Sequence, residues 1–133
     1  MAEAKRKILF VEDEKRLRNL MGEHLKEAGY EVFTAADGEI GLKILDEKKP
    51  DLVILDLILP KKDGFEFLEE MNSRPETKGI PVVVLTNLEE KFDIERAAAY
   101  GARAYLVKAN YKPHEIVEKI NKILNDASGT ATT

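Results

Sequence analysis

Six residues carry side chains that could do chemistry together: Glu12, Asp13, Asp56, Thr86, Asn87 and Lys108. Each sits at the end of a short apolar run. Glu12-Asp13 follows residues 8–11, Asp56 follows 52–55, Thr86-Asn87 follows 81–85 and Lys108 follows 105–107. Carboxylates crowded into one crevice repel and raise one another's pKa unless a cation joins them. Oxygen donors without Cys or His suit a hard cation, and few protein ligands with room for water suit Mg2+ better than a Ca2+ cage. A cation beside a carboxylate could neutralise an incoming phosphoryl group, with a lysine pairing with its oxygens and a threonine hydroxyl donating to it. Asp56 could then act as the nucleophile and form an acyl phosphate. Taken singly, each residue has a plainer reading. Glu12-Asp13 could be the acidic start of a helix, Asp56 a strand-end cap, Thr86 a turn residue and Lys108 a solvated surface lysine. It is their shared position at strand ends that sets them apart.

That position depends on the elements that carry them. The runs at 8–11, 32–35, 52–55, 81–85 and 105–107 are continuously apolar rather than alternating, as in strands buried on both faces of a parallel sheet. Helical periods lie between them. Leu17, Leu20, Met21, Leu25 and Ala28 form one stripe, closed by Gly29. Ile40, Ile44 and Leu45 form a second, with Asp37 as its N-cap. Phe65, Leu68 and Met71 mark a third helix, and Phe92, Ile94, Ala98 and Ala99 a less regular fourth that ends near Gly101. Ile116, Val117, Ile120, Ile123 and Leu124 give the cleanest stripe, with Pro113 in its first turn. The pattern predicts an α/β fold: a five-stranded parallel sheet, doubly wound as (βα)5, in a three-layer sandwich with right-handed crossovers. Ligands of such sheets bind beyond the carboxyl ends of the strands, where the six residues would converge.

Composition narrows the function classes. The 133 residues fit one domain, expected over 1–126, with a flexible tail at 127–133 that has no apolar period. A chain of this length buries about two thirds of its unfolded surface, enough for a core without staples. Lys and Arg total 21 against 25 Asp and Glu, a net charge of −4, which argues against general nucleic-acid binding. Cysteine is absent, so there is neither a disulfide framework nor a thiolate site. No run approaches the roughly 20 apolar residues of a membrane span, and no targeting segment is read at the start. The expectation is a cytoplasmic protein without membrane insertion.

The residues also resemble a known family, the receiver domain of two-component response regulators, in its single-domain, chemotaxis-regulator-like form. The resemblance covers about residues 6–125. It rests on Ile8-Leu9-Phe10-Val11-Glu12-Asp13-Glu14, on Asp51-Leu52-Val53-Ile54-Leu55-Asp56-Leu57-Ile58-Leu59-Pro60 through Gly64, on Pro81-Val82-Val83-Val84-Leu85-Thr86, and on Gly101-Ala102-Arg103-Ala104-Tyr105-Leu106-Val107-Lys108, in that order and spacing. It implies a flavodoxin-like fold and a phosphorylation-dependent signalling switch. Asp56 matches the phosphoacceptor. Asp13 matches the Mg2+-ligating acid, with Glu12 beside it acting mainly through water, and the backbone carbonyl of Ile58 matches a further ligand. Lys108 matches the lysine that binds the phosphoryl group, Thr86 the hydroxyl residue that swings toward it, and Tyr105 the aromatic that turns inward on activation. The implied partners are a sensor histidine kinase or histidine phosphotransfer protein, and a downstream target that binds the face formed by the fourth helix, fifth strand and fifth helix.

Two features depart from the family pattern. Ala109 and Asn110 follow Lys108 where proline and an aromatic are common, so a trans peptide bond is expected there. Asn87 replaces a small residue after Thr86. Other function classes fit the residues less well. A Mg2+-dependent aspartyl-phosphate phosphatase on a similar fold would carry a second acid two residues after its nucleophile, and that position is Ile58. A flavin carrier needs a Ser/Thr/Gly-rich phosphate loop after the first strand, where Glu12-Asp13-Glu14 would repel phosphate. A degenerate receiver used only as a docking platform sits poorly with the intact Asp13, Asp56, Thr86 and Lys108. A turnover enzyme is therefore not expected. Because the sequence ends after the last helical stripe, the reading is either a stand-alone receiver or one excised from a longer regulator.

Overall fold

All five apolar runs form strands in the computed structural model, which describes residues 5–127. They are β1 (Lys7–Val11), β2 (Glu31–Ala35), β3 (Leu52–Leu55), β4 (Val82–Thr86) and β5 (Ala104–Val107). The helices alternate with them: α1 (Lys15–Glu27), α2 (Gly38–Lys48), α3 (Gly64–Asn72), α4 (Lys91–Ala99) and α5 (Pro113–Ala127). Helix α5 runs one residue past the expected domain end at 126. The rest of the expected tail lies outside the described residues.

The strands form one parallel sheet in the order β2-β1-β3-β4-β5. The chain order reverses between β1 and β3, so a crevice opens between their carboxyl ends. The register aligns Val11 with Leu55 and Thr86 with Val107. Glu12 and Asp56 are therefore the next residues out on adjacent strands, and Lys108 follows the partner of Thr86.

The core lies on both faces of the sheet. One side joins Ile8, Phe10, Ile54 and Leu85 to Met21 and Leu25 of α1 and to Ile116, Val117, Ile120 and Leu124 of α5. The other joins Leu9, Val11, Val53 and Val84 to Leu42 and Leu45 of α2, to Phe65, Leu68 and Met71 of α3 and to Ala97 of α4. Truncating one such buried side chain to alanine typically costs about 2–5 kcal/mol.

Two helical stripes differ from the sequence reading. In α2 the inward positions are Gly41, Leu42 and Leu45, while Ile40 faces outward. The cause is Gly41: a Cβ there would sit 2.9 Å from Phe67 and 3.1 Å from Val11, so the helix lies too close to the sheet for a larger residue at that point. In α4 only Ala97 is buried, and Phe92 (70% exposed) and Ile94 (38%) point away from the core. The caps follow local chemistry. Asp37 accepts from the Ile40 N–H at 2.8 Å, as expected. Asp63 and Glu66 form a reciprocal capping box at the start of α3. The Lys108–Ala109 bond is trans, and Lys108–Asn110 form a short 3-10 turn into the last helix.

Candidate functional site

The six residues singled out in the sequence stand at one edge of the sheet, and four of them form its centre. Lys108 Nζ donates to Asp56 Oδ2 at 2.7 Å and lies 2.7 Å from Glu12 Oε1. The ammonium thus bridges the two carboxylates, with the Asp56 contact the better aligned as a hydrogen bond. Glu12 Oε2 accepts from the Glu14 N–H at 3.0 Å. Asp56 Oδ1 accepts from the Ile58 N–H at 3.2 Å, and the Asp56 N–H donates to the Val11 carbonyl at 3.1 Å. Glu12, Asp13 and Asp56 each bring one carboxylate oxygen within 4.8 Å of the others. Among these side chains, three carboxylates face one ammonium.

Local sequence explains the close packing. Gly64 begins α3 hard against the end of β3: a Cβ there would lie 2.5 Å from the Asp56 carbonyl oxygen. Glu12 is fully buried because β2 closes over it, its N–H donating to the Ala35 carbonyl at 2.9 Å. Burial pushes the Glu12 carboxyl up, and Lys108 beside it offsets this only in part. For Lys108 burial acts downward, but the contacts with Asp56 and Glu12 outweigh it and the net shift is upward. The Glu12 shift is set first by burial, with the Asp56 charge adding to it, whereas the Lys108 shift is set by its two carboxylate partners.

The remaining predicted residues take different positions. Thr86 is fully buried at the end of β4, with its hydroxyl 3.5 Å from the Leu88 N–H. Tyr105 is half-buried on β5 and its hydroxyl donates to the Leu88 carbonyl at 2.7 Å. Burial, then the nearby Asp93 and Asp56 carboxylates, push that hydroxyl up to about 12. Asp13, Ile58 and Asn87 are exposed, as a site open to solvent requires.

The sequence reading missed Arg18. Its Nη1 donates to the Glu12 carbonyl at 2.8 Å and to the Asp13 carbonyl at 3.3 Å. A long cationic side chain one turn into α1 reads as solvated surface, and no sequence signal points it back at the acidic loop.

The donor set fits a hard divalent cation. Three carboxylates converge without Cys or His, and Glu12 among them is fully buried. Among the described residues no helix is long and apolar enough to cross a membrane.

The sequence matches the family described as "Response regulator receiver domain" over residues 8–121. The chain belongs to that family. It is 38% identical over 119 residues to the alkaline phosphatase synthesis transcriptional regulatory protein PhoP of Bacillus subtilis, covering 90% of this chain and 48% of that protein. The chain thus spans about half the length of the curated relatives it matches. Among solved structures, it resembles the phosphorylated cyanobacterial phytochrome response regulator RcpA with a TM-score of 0.81 and 35% identity, covering 97% of this chain and 98% of that one. It resembles the Mn2+-bound form of response regulator Rcp1 with a TM-score of 0.77 and 33% identity, covering 96% and 97%. The expected flavodoxin-like receiver fold is the fold observed. Receiver domains are signalling domains of two-component systems rather than typical turnover enzymes.

Proposed function

We propose that this receiver takes a phosphoryl group onto Asp56, with Mg2+ as cofactor, and signals by changing the surface formed by α4, β5 and α5. The observation that carries the reading is Lys108 Nζ, 2.7 Å from Asp56 Oδ2 at the mouth of the β1/β3 crevice, with the Glu12 and Asp13 carboxylates beside it. In the transfer, an oxygen of Asp56 forms a bond to phosphorus as the bond from phosphorus to the donor breaks. The donor is the phosphohistidine of a sensor histidine kinase or histidine phosphotransfer protein, or a small phosphodonor. Glu12, Asp13, Asp56 and the Ile58 carbonyl would hold the Mg2+, which supplies charge neutralisation at the phosphoryl oxygens.

The chain's own residues do the rest. Lys108 offers an ammonium that can move from the Asp56 carboxylate to the phosphoryl oxygens. Thr86 offers a hydroxyl at the end of the neighbouring strand. Tyr105 is tied to the same turn through Leu88, so a shift at Thr86 reaches β5 and α4. A downstream target protein then reads that face. The domain would occupy 1–126, act in the cytoplasm and contact no nucleic acid itself. The phosphorylated RcpA and the Mn2+-bound Rcp1 support the phosphoryl and metal parts of the reading by likeness.

The test is intact mass after incubation with a small phosphodonor and Mg2+. The native chain should gain one phosphoryl group, and Asp56→Asn should gain none. Equal labelling of that variant, or labelling that persists undiminished in chelator, overturns the assignment.

A further inference from the structure

Three successive carbonyls in the acidic loop are all taken by one residue. The Arg18 guanidinium donates to the carbonyls of Glu12 at 2.8 Å and Asp13 at 3.3 Å, and the Arg18 backbone N–H donates to the Glu14 carbonyl at 2.9 Å. Helix α1 needs such support. Its N-cap residue Glu14 makes no side-chain cap, its first turn carries no acid, and Lys15 and Arg16 place cations where the helix dipole favours anions.

The loop matters because of Asp13. The Asp13 carboxylate is exposed, and among the described residues no hydrogen bond or ion pair holds it. Yet one of its oxygens lies with those of Glu12 and Asp56 inside a 4.8 Å group. Glu12 is fixed by burial and by the Glu14 N–H, and Asp56 by Lys108 and the Ile58 N–H. Asp13 has only its backbone to aim it, and that backbone is held from Arg18.

We infer that Arg18 is a positioning residue: by clamping the Glu12 and Asp13 carbonyls it holds the Asp13 carboxylate in the trio and so sets the affinity for a divalent cation. This rests on the reading of the trio as a Mg2+ site. Charge alone predicts the opposite sign. A guanidinium near the site repels a cation, so removing it would tighten binding. Loss of an outer residue that orients a ligand typically weakens metal affinity by about 10–100-fold.

The experiment titrates Mg2+ into the native chain, Arg18→Ala and Arg18→Lys, well below their unfolding temperatures. Binding is followed by the amide NMR shifts of Asp13 and Asp56, with thermal midpoints measured beside it. The expected result is a Kd weakened about 10-fold or more in Arg18→Ala, with Arg18→Lys between the two. Equal or tighter binding by Arg18→Ala overturns the inference and leaves the site reading standing. If the native chain shows no Mg2+-dependent shifts, both fall. Should Arg18→Ala not fold, Arg18→Lys decides: it keeps the charge but loses the planar two-carbonyl clamp, and undiminished affinity overturns the inference.

Discussion

The Tyr105 hydroxyl donates to the backbone carbonyl of Leu88 at 2.7 Å, tying an edge strand to the turn that follows Thr86. The ring is therefore held at that turn rather than lying free on the surface. Tyr105→Phe removes the tie and keeps the ring. Stability should fall by about 1 kcal/mol, the usual net value of one such bond. Amide shifts on adding a phosphoryl mimic should shrink in α4 while those near Asp56 persist. Shifts in α4 that match the native protein would show that the coupling bypasses this bond.

The same hydroxyl predicts an alkaline effect. An unfolded tyrosine ionises near 10, whereas Tyr105 is pushed up to about 12 by burial and then by Asp93 and Asp56. Between those values the folded chain keeps a proton that the unfolded chain loses. The stability is present in full below pH 10 and is lost as pH rises toward 12. Tyr105→Phe should show a shallower loss over that window in denaturant melts. Tyr30 and Lys108, whose pKa values are also raised, remain in both proteins, so the comparison isolates Tyr105.

Helix α4 has little holding it to the sheet. Ala97 is its buried residue, and Arg96 lies over the Phe65 ring of α3 at 4.0 Å and near the Tyr100 ring at 5.8 Å. A cation over a partly desolvated ring contributes about 1 kcal/mol. Arg96→Ala should speed hydrogen exchange in α4 several-fold and leave α5 unchanged. Uniform acceleration across the domain would mean that the contact serves global stability instead.

Lys108 separates two carboxylates that would otherwise face each other unscreened. Lys108→Met should destabilise the metal-free domain, by about 3 kcal/mol if the pair behaves as buried pairs do. Divalent cation should restore part of that loss, since binding to the folded state stabilises it by mass action. The thermal midpoint should therefore rise more on adding Mg2+ in Lys108→Met than in the native chain. An equal or smaller rise would contradict the charge imbalance inferred for the pocket.

What the sequence made legible follows from how each signal arises. Helix α5 was readable because Ile116, Val117, Ile120 and Leu124 all face one core and keep a helical period. The site was readable because parallel strands deliver their carboxyl ends to one edge, so Glu12, Asp56, Thr86 and Lys108 converge without knowledge of any contact. Helix α2 and its Asp37 cap were readable, but Ile40 was placed on the inward stripe because Gly41 is counted as neutral in a hydrophobic pattern, although its lack of a side chain is what lets the helix sit down. Helix α4 was readable as an element ending near Gly101, but its stripe was not, because Phe92 and Ile94 are apolar yet unburied and composition cannot tell an outward apolar residue from an inward one. The capping box was in plain view as Asp63-x-x-Glu66, although Pro60 before it and Gly64 within it are turn-forming residues. Arg18 was invisible because its role is to donate to backbone, which any sequence offers.

The last prediction concerns how long the phosphoryl group survives. Hydrolysis of an acyl phosphate on Asp56 needs a water placed in line with the bond to be broken. The residues two past Asp56 and two past Thr86 are Ile58 and Leu88, neither of which can hydrogen-bond a water through its side chain. Ile58 is 56% exposed, so its side chain stands at the open mouth rather than folding into the core. Leu88 is half-buried, with its backbone engaged by Tyr105 and its N–H directed at Thr86. Asn87 is exposed beside it and carries a polar side chain. An apolar rim there would shield a phosphoryl group on Asp56 without positioning its attacker, so the phosphorylated state should be long-lived. Ile58→Asn combined with Leu88→Glu should shorten the half-life by about tenfold, which corresponds to 1.4 kcal/mol in barrier height. The measurement is loss of the phosphoryl mass with time in excess Mg2+ after the donor is removed. Decay no faster in the double variant would mean that these side chains do not govern the approach of water, and would direct attention to Asn87.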